Sequence, residues 1–249
     1  MPTVTLLEKV YGAFSGESME KRLLSLCQGL RVKVRFQGKT ERNWVKVEVT
    51  GEDQTIALRL LDREIGLAPV SPDNVEKFSV LRGRRIHSGK SATELRVDVG
   101  VFSIKAYDAM VSLQSLQAQL ADGKKLPLER IIELFCLYDY IPLIIKVVSD
   151  LNANERVWRA ELSETQLSLF TDWMRSSVDR LIVLGAKLRD VERAIEVSKH
   201  ARDIVKIESL GLLEHAIECK LGTDAAGLIP KLGPHLIVAN LAPFSPRKI

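Results

Sequence analysis

A chain of 249 residues, 46% hydrophobic and 27% charged, has the composition of a soluble globular protein and a length that suits two or three small domains better than one. Its longest apolar run, Tyr140 to Val148, is interrupted by Pro142 and Lys146 and falls short of the ~20 residues a membrane helix needs; the first residues lack a charged-then-apolar leader pattern, so a cytoplasmic setting is expected. The net charge of +4 points only weakly to a polyanionic partner, so the placement of the charge matters more.

Val4 to Gly12 reads as a strand, and Ser18 to Leu30 sets Met19, Leu23, Leu24, Leu26, Cys27 and Leu30 at helical spacing. Arg31 to Gly38 then alternates strictly, with Val32, Val34 and Phe36 on one face and Arg31, Lys33 and Arg35 on the other. Asn43 to Gly51 is its antiparallel partner across the polar turn Gly38 to Arg42. There Trp44 shares a face with Lys46 and Glu48, which suggests an exposed ring that stacks on a base or a ring that covers the sheet against a helix, the commoner use. A helix opened by Gly51 or Asp53 closes near Gly66. The order βαββα predicts a sheet-and-helix layer over residues 1–70.

Val70 to Asn74 is turn-rich and marks a linker. Residues 75–166 carry mostly short strands: Phe78 to Gly89, Glu94 to Phe102, Asp108 to Leu113, Ile141 to Asp150 and Val157 to Ser163, with a helical stretch, Ser115 to Asp139, before the last pair. Five short strands with that insertion suit a small Greek-key barrel of the OB type. Residues 167–249 hold the rest of a linking helix begun at Ser163 and a second α/β domain. The latter runs through a strand at Arg180 to Ala186, a helix at Leu188 to Ala201, strands at Asp203 to Gly211 and Leu212 to Gly222, and a helical turn begun by Asp224. That again is βαββα, so the expected fold class is α+β: layer, five-stranded barrel with a helical insertion, second layer. Only Pro243 to Ile249 read as lacking structure. Cys27, Cys136 and Cys219 are odd in number, far apart and set among apolar neighbours, as buried reduced thiols are.

The stretch Gly83 to Ser91, GRRIHSGKS, resembles a phosphate-binding loop and fails the count. Five residues separate Gly83 from Gly89 where that motif has four, and Leu95 to Gly100 alternates like a strand where a helix must follow. What remains is a basic strand-turn-strand with Arg82 and Arg84 on one side, Arg85 and His87 on the other, and Lys90 in the turn. In an OB barrel this loop borders the oligonucleotide groove, where cations neutralise phosphates.

Leu81 to Gly89, Glu94 to Val101, Asp108 to Leu116, Ile141 to Asp150 and Val157 to Gln166 together resemble an S1-type OB domain, over about a third of the chain. The resemblance implies binding of single-stranded RNA through a basic groove and aromatic rings on the second and third strands. Here the ring-bearing positions read Glu94, Leu95, Arg96 and Val97, so stacking worth ~1–3 kcal/mol per base is lost and phosphate contacts remain. Asp203 to Leu236 resembles the tail of a conserved archaeal family known only as a domain of unknown function, family 2110. That resemblance implies an archaeal, cytoplasmic setting and no activity.

No catalytic, metal or cofactor constellation emerges. His87, His200, His215 and His235 show no metal spacing, and no Gly-x-Ser-x-Gly elbow occurs. The most enzyme-like cluster, His215 with Glu214, Lys220 and Asp224, reads better as a half-buried strand histidine beside a helix cap. A second basic surface, Arg31, Lys33 and Arg35 with Lys39, Arg42 and Lys46, can dock on folded RNA by backbone contacts. The expected function is therefore a non-enzymatic RNA-binding protein serving ribosomes, tRNA or RNA processing. Its expected contacts are Arg82, Arg84, Arg85, His87, Lys90, Arg31, Lys33 and Arg35. The alternative is an adaptor whose apolar C-terminal stretch, Gly227 to Phe244, docks on a ribosome or another protein partner.

Overall fold

The structure, a computed structural model, describes residues 3–87, 93–102, 106–152 and 154–246. Strand β1 (Thr3–Lys9) leads into helix α1 (Gly16–Leu26), whose first turn is closed by Ser15 accepting from the Ser18 amide. β2 (Val32–Lys39) and β3 (Trp44–Gly51) form the expected hairpin, and α2 (Gln54–Glu64) follows. β3 lies between β1 and β2, antiparallel to both. Val34, Val45, Val47 and Val49 pack with Met19, Leu23, Ala57 and Leu61 under the two helices. The alternation then fixes the other face: Lys33, Arg35 and Lys46 point to solvent.

A single 3-10 turn, Pro72–Asn74, carries the chain into the barrel. Its strands are β4 (Val80–Ile86), β5 (Glu94–Phe102), β6 (Ala106–Ser112), β7 (Pro142–Val147) and β8 (Val157–Leu162). They close in the order β4-β5-β6-β8-β7, with β4 returning to pair with β7 and only β6 and β8 running parallel. This is the five-stranded OB closure. The insertion is a pair of helices, α3 (Leu113–Leu120) and α4 (Leu128–Leu134), where the sequence pattern suggests one continuous stretch. Asp122 and Gly123, both at positive φ, turn the chain after the first helix, and Pro127 serves as the N-cap of the next.

Helix α5 (Glu164–Arg175), capped by Ser163, leads to the second layer: β9 (Arg180–Leu184), α6 (Leu188–Val197), β10 (Ile204–Ser209), β11 (Glu214–Cys219), α7 (Ala225–Leu232) and β12 (Asn240–Phe244). The sheet order is β10-β11-β9-β12. Set beside the first layer, β9, β10 and β11 take the places of β1, β2 and β3. The correspondence continues past the last helix. β12 lies antiparallel along the free edge of β9, and residues 66–68 lie along the free edge of β1 through Leu7 N to Gly66 O and Ala68 N to Thr5 O, 3.0 and 2.9 Å. β12 corrects the reading of Pro243 and Phe244 as unstructured, and Arg247 to Ile249 lie outside the described residues. β12 is an edge strand, where a proline's missing amide costs no ladder bond, so Pro243 is tolerated inside it.

The layers differ in what covers their sheets. In the second, Leu181, Val183 and Ile217 pack under α6 and α7, while Ile182, Leu184, Ala216, Ala242 and Phe244 face the other way and merge with the barrel core. Phe244 completes an aromatic group with Phe135, Phe170 and Trp173, whose neighbouring ring centroids lie 5.3 to 6.4 Å apart. The first layer has no such cover over Lys33 and Arg35. No helix among the described residues is long and apolar enough to cross a membrane.

Candidate nucleic-acid interface

The residues assigned from sequence to one basic rim are distributed over separate environments. On β4, Arg82 is exposed and His87 is exposed just beyond the strand end; Lys90 lies outside the described residues. Arg84 and Arg85 correct the expectation, because both are turned away from solvent and ion-paired. Arg85 pairs with Asp139 at the start of the approach to β7. Arg84, with a side chain only 4% exposed, is held between two carboxylates: Nη2 on Glu8 of β1 and Nη1 on Glu214 of β11, the latter at 2.7 Å. Nη2 also donates to the Leu7 carbonyl at 3.3 Å. One guanidinium from the barrel thus bridges both layers.

Around that bridge the three units are sealed. Glu8 accepts from the Leu212 amide at 3.1 Å, and Leu212, at the β10–β11 turn, packs into the core of the first layer. The Tyr11 hydroxyl donates to Glu214, and its ring stacks on Tyr140 of the barrel with centroids 4.3 Å apart. The backbones approach closely enough that a Cβ on Gly12 would lie 2.3 Å from the Gly185 oxygen, so only glycine fits there. Burial pushes the Glu8 carboxyl up to about 7 although Arg84 opposes it. Burial alone would lower the Arg84 pKa, but the facing Glu214 and Glu8 carboxylates outweigh it and hold the guanidinium charged.

A second sealed contact covers the outer face of β5 and β6, the surface on which OB barrels bind oligonucleotides. Lys9 reaches Asp98 at 2.6 Å, and the Trp44 indole donates to the same carboxylate at 3.1 Å. Arg42 pairs with Asp108, and the Lys9 ammonium sits 4.5 Å over the Trp44 ring. Trp44 is fully buried here. It covers the sheet against the barrel, where the sequence suggested exposure to a base or cover from a helix. At this end the barrel face is acidic and covered by the first layer. Glu8, Lys9, Asp98 and Asp108 carry this junction and were invisible as site residues, since each is one charge within an ordinary alternating strand.

What stays open is the outer face of the first sheet. Lys33 and Arg35 on β2, Lys39 at its end and Lys46 on β3 are exposed, and among the described residues none has a carboxylate within 4.0 Å. Glu48, directly across from Arg35, is engaged by Gln37 at 2.9 Å. Arg31, by contrast, spends its charge on Glu52 at 2.5 Å. A groove of about 540 Å³ adjoins the face, lined by Thr3, Thr5, Lys39, Glu41 and Lys46 together with Leu67 and Pro69. Cationic strands beside a partly apolar groove can hold a phosphate backbone and one base edge.

Two family models match this architecture: the DUF2110 N-terminal domain over residues 3–69 and the DUF2110 C-terminal domain over residues 178–242, together more than half of the chain. The chain belongs to the DUF2110 family. The matched stretches are the two layers, and the barrel lies between them. No curated protein matches the chain.

The enzyme-like cluster of this DUF2110 chain comes apart in space. His215 is buried, with Nε2 3.1 Å from the Ala186 carbonyl and Nδ1 3.3 Å from the Ser209 hydroxyl, and burial lowers its pKa. Glu214 points instead to Arg84. Asp224 caps α7, accepting from the amides of Ala226 and Gly227 at 3.1 and 3.0 Å. Asp224→Ala therefore lowers stability by about 1 kcal/mol, the loss of a helix cap, as read from the urea midpoint. Among the described residues no three His, Cys, Asp or Glu side chains converge as a metal site.

Proposed function

We propose that the protein is a non-enzymatic RNA-binding protein that contacts phosphates through the open face of its first layer. The observation that carries this reading is the set of exposed cations Lys33, Arg35 and Lys46 on one sheet face, with Lys39 exposed at the end of β2, free of carboxylate partners among the described residues. A cation kept in water without a partner is available to displace counterions from a phosphate backbone. Arg82 and His87 remain exposed on the barrel, while Arg84 and Arg85 belong to the internal structure. A flat sheet reads backbone and exposed bases more readily than the deep groove of duplex RNA, so single-stranded or looped segments of rRNA or tRNA are the favoured partners.

Fluorescence anisotropy with tRNA, rRNA fragments and single-stranded RNA tests the proposal. Binding weakens steeply between ~50 and ~200 mM salt. The Lys33→Glu/Arg35→Glu pair weakens it roughly tenfold or more and flattens the salt slope by about 1.5. Absence of binding by folded protein at ~50 mM salt, or indifference to the double reversal, removes the reading. A second reading, the protein adaptor, is favoured by Ile237 and Val238, exposed at 86% and 62% in the turn before β12. RNase-resistant binding of a defined partner that Ile237→Asp abolishes would favour it over RNA.

A further inference from the structure

The two layers also meet along a cleft between α1 and α6, away from the basic sheet face. Its outer part, about 920 Å³, runs along α6; its inner end is a small recess of about 60 Å³. Ser18, Arg22 and Lys187 line both, so the recess is the floor of the cleft. The outer walls are mixed in charge, with Arg189 and Arg193 offset by Asp190, Glu192 and Glu196 on the same helix. The recess is not mixed. Arg22 and Lys187 are its charged residues, Ser15 and Ser18 its hydroxyls, and Phe14, Met19, Leu212 and Leu213 its apolar wall; no carboxylate lines it.

Neither cation is neutralised by a contact. Among the described residues Arg22 and Lys187 have no carboxylate within 4.0 Å. Arg22 is half-buried, and burial pulls its pKa down while Glu8 and Glu214 act on it only through space. Glu17, close enough to Lys187 to feel its charge, is held by Lys21 at 2.5 Å. Partly buried cations without partners are unfavourable unless an anion completes them. A recess this small has room for only a few waters, and so for one small anionic group.

We propose that this recess binds a phosphomonoester, its phosphate between Arg22, Lys187 and the serine hydroxyls and its organic part in the outer cleft. The small size of the recess favours a monoester, which enters with one phosphate and leaves its ester carbon toward the outer cleft, over a diester, whose chain must leave in two directions. The dianion also matches two cations, and the apolar wall accommodates the ester carbon. The proposal stands apart from the RNA reading, because the cleft is on the helical side of the first layer and Lys33 and Arg35 are on the opposite side of its sheet.

A phosphomonoester can be a small metabolite or the phosphorylated end of a nucleic acid, and two arms of one experiment separate them. Full-length protein is titrated with inorganic phosphate, 5′-AMP and adenosine by calorimetry and by amide chemical shifts. A short oligoribonucleotide is then compared with and without its 5′-phosphate. The expected result is saturable binding of 5′-AMP, none of adenosine, shifts at Ser18 and Lys187, and at least a roughly tenfold loss in Lys187→Gln, a change of about 1.4 kcal/mol. Lys187 is partly exposed and its side chain makes no hydrogen bond or ion pair among the described residues, so the variant tests binding without removing a structural pair. Lys33→Glu/Arg35→Glu keeps the 5′-AMP affinity even where RNA binding is lost. A preference for 5′-phosphorylated over 5′-hydroxyl RNA assigns the site to an RNA end, and equal affinities assign it to a small ligand. No saturable binding of phosphate or 5′-AMP up to ~10 mM, or binding unchanged in Lys187→Gln, overturns the proposal.

Discussion

Arg84→Met lowers the stability of the protein by about 3–5 kcal/mol, read as a fall in the urea midpoint of unfolding. The methionine fills much of the same volume, so the loss is chiefly electrostatic. Glu8 and Glu214, each buried to 6% exposure or less, are left facing one another without the guanidinium that neutralises both. An uncompensated buried carboxylate either takes up a proton or admits water, and both outcomes weaken the packing of three units at once. Arg84→Lys retains the charge but loses the fork: one ammonium cannot serve Glu8, Glu214 and the Leu7 carbonyl in the geometry of a planar guanidinium. Lysine is therefore intermediate. Adding Glu8→Gln to Arg84→Met recovers part of the loss, because it removes one of the stranded charges. A cycle of these variants that sums additively would show that Arg84 and Glu8 do not act as a pair.

The same arginine shows where sequence reasoning reaches and where it stops. The direction of Lys33 and Arg35 was legible because it is set locally. Strict alternation in a strand whose valines must meet α1 and α2 leaves only one face for the cations. The five-stranded barrel was legible for a similar reason, as short alternating runs between turn residues. Arg84 and Arg85 look like Lys33 and Arg35 in the sequence, yet they are buried. What distinguishes Arg84 is a pair of carboxylates 76 and 130 residues away, on different units, and no local pattern encodes that encounter. Trp44 was placed on the correct face, with Lys46 and Glu48, but the barrel covers that end of the face, and a docking partner within the same chain leaves no periodicity behind. β12 was hidden by Pro243, which signals a strand interior poorly and an edge acceptably.

The two layers share a topology and have divergent outer faces, and this contrast gives the functional proposal its physical basis. In the second layer the outward positions of β9, β11 and β12 include Ile182, Leu184, Ala216 and Ala242, which can be stabilised only by burial, and the barrel buries them. In the first layer the comparable surface carries lysine, arginine and threonine, which lose hydration if covered. The polar part of the barrel's contact with the first layer lies along the end of β1 and the β2–β3 turn, where Asp98 and Asp108 neutralise Lys9 and Arg42. The remaining cations have no such acidic partner among the described residues. The OB barrel thus acts as the joint that holds the sheet open, and part of the surface through which such barrels usually bind is used in making that joint.

Stability falls as pH rises from about 4.5 to 7, by about 3 kcal/mol from Glu8 alone. Burial raises this carboxyl from its ordinary value of 4.5 to about 7, so between those values the folded protein holds a proton that the unfolded chain has released. Raising the pH through that window therefore favours the unfolded state, and above it the full cost of a charged Glu8 is present. The groups facing Glu8 set the size: Arg84 opposes the shift, Glu214 reinforces it, the Leu212 amide donates to the charged form and Arg22 attracts it through space. His215 acts with the opposite sign. Its pKa lies below the ordinary 6.5, so its contribution is present above that value and is lost as pH falls through it. Urea unfolding at pH 5 and pH 8 in the wild type and in Glu8→Gln separates the two, since the histidine is common to both proteins. The wild type loses more stability than Glu8→Gln on going from pH 5 to pH 8. Equal losses in both proteins would place the proton elsewhere and leave Glu8 ionised throughout, fully neutralised by Arg84.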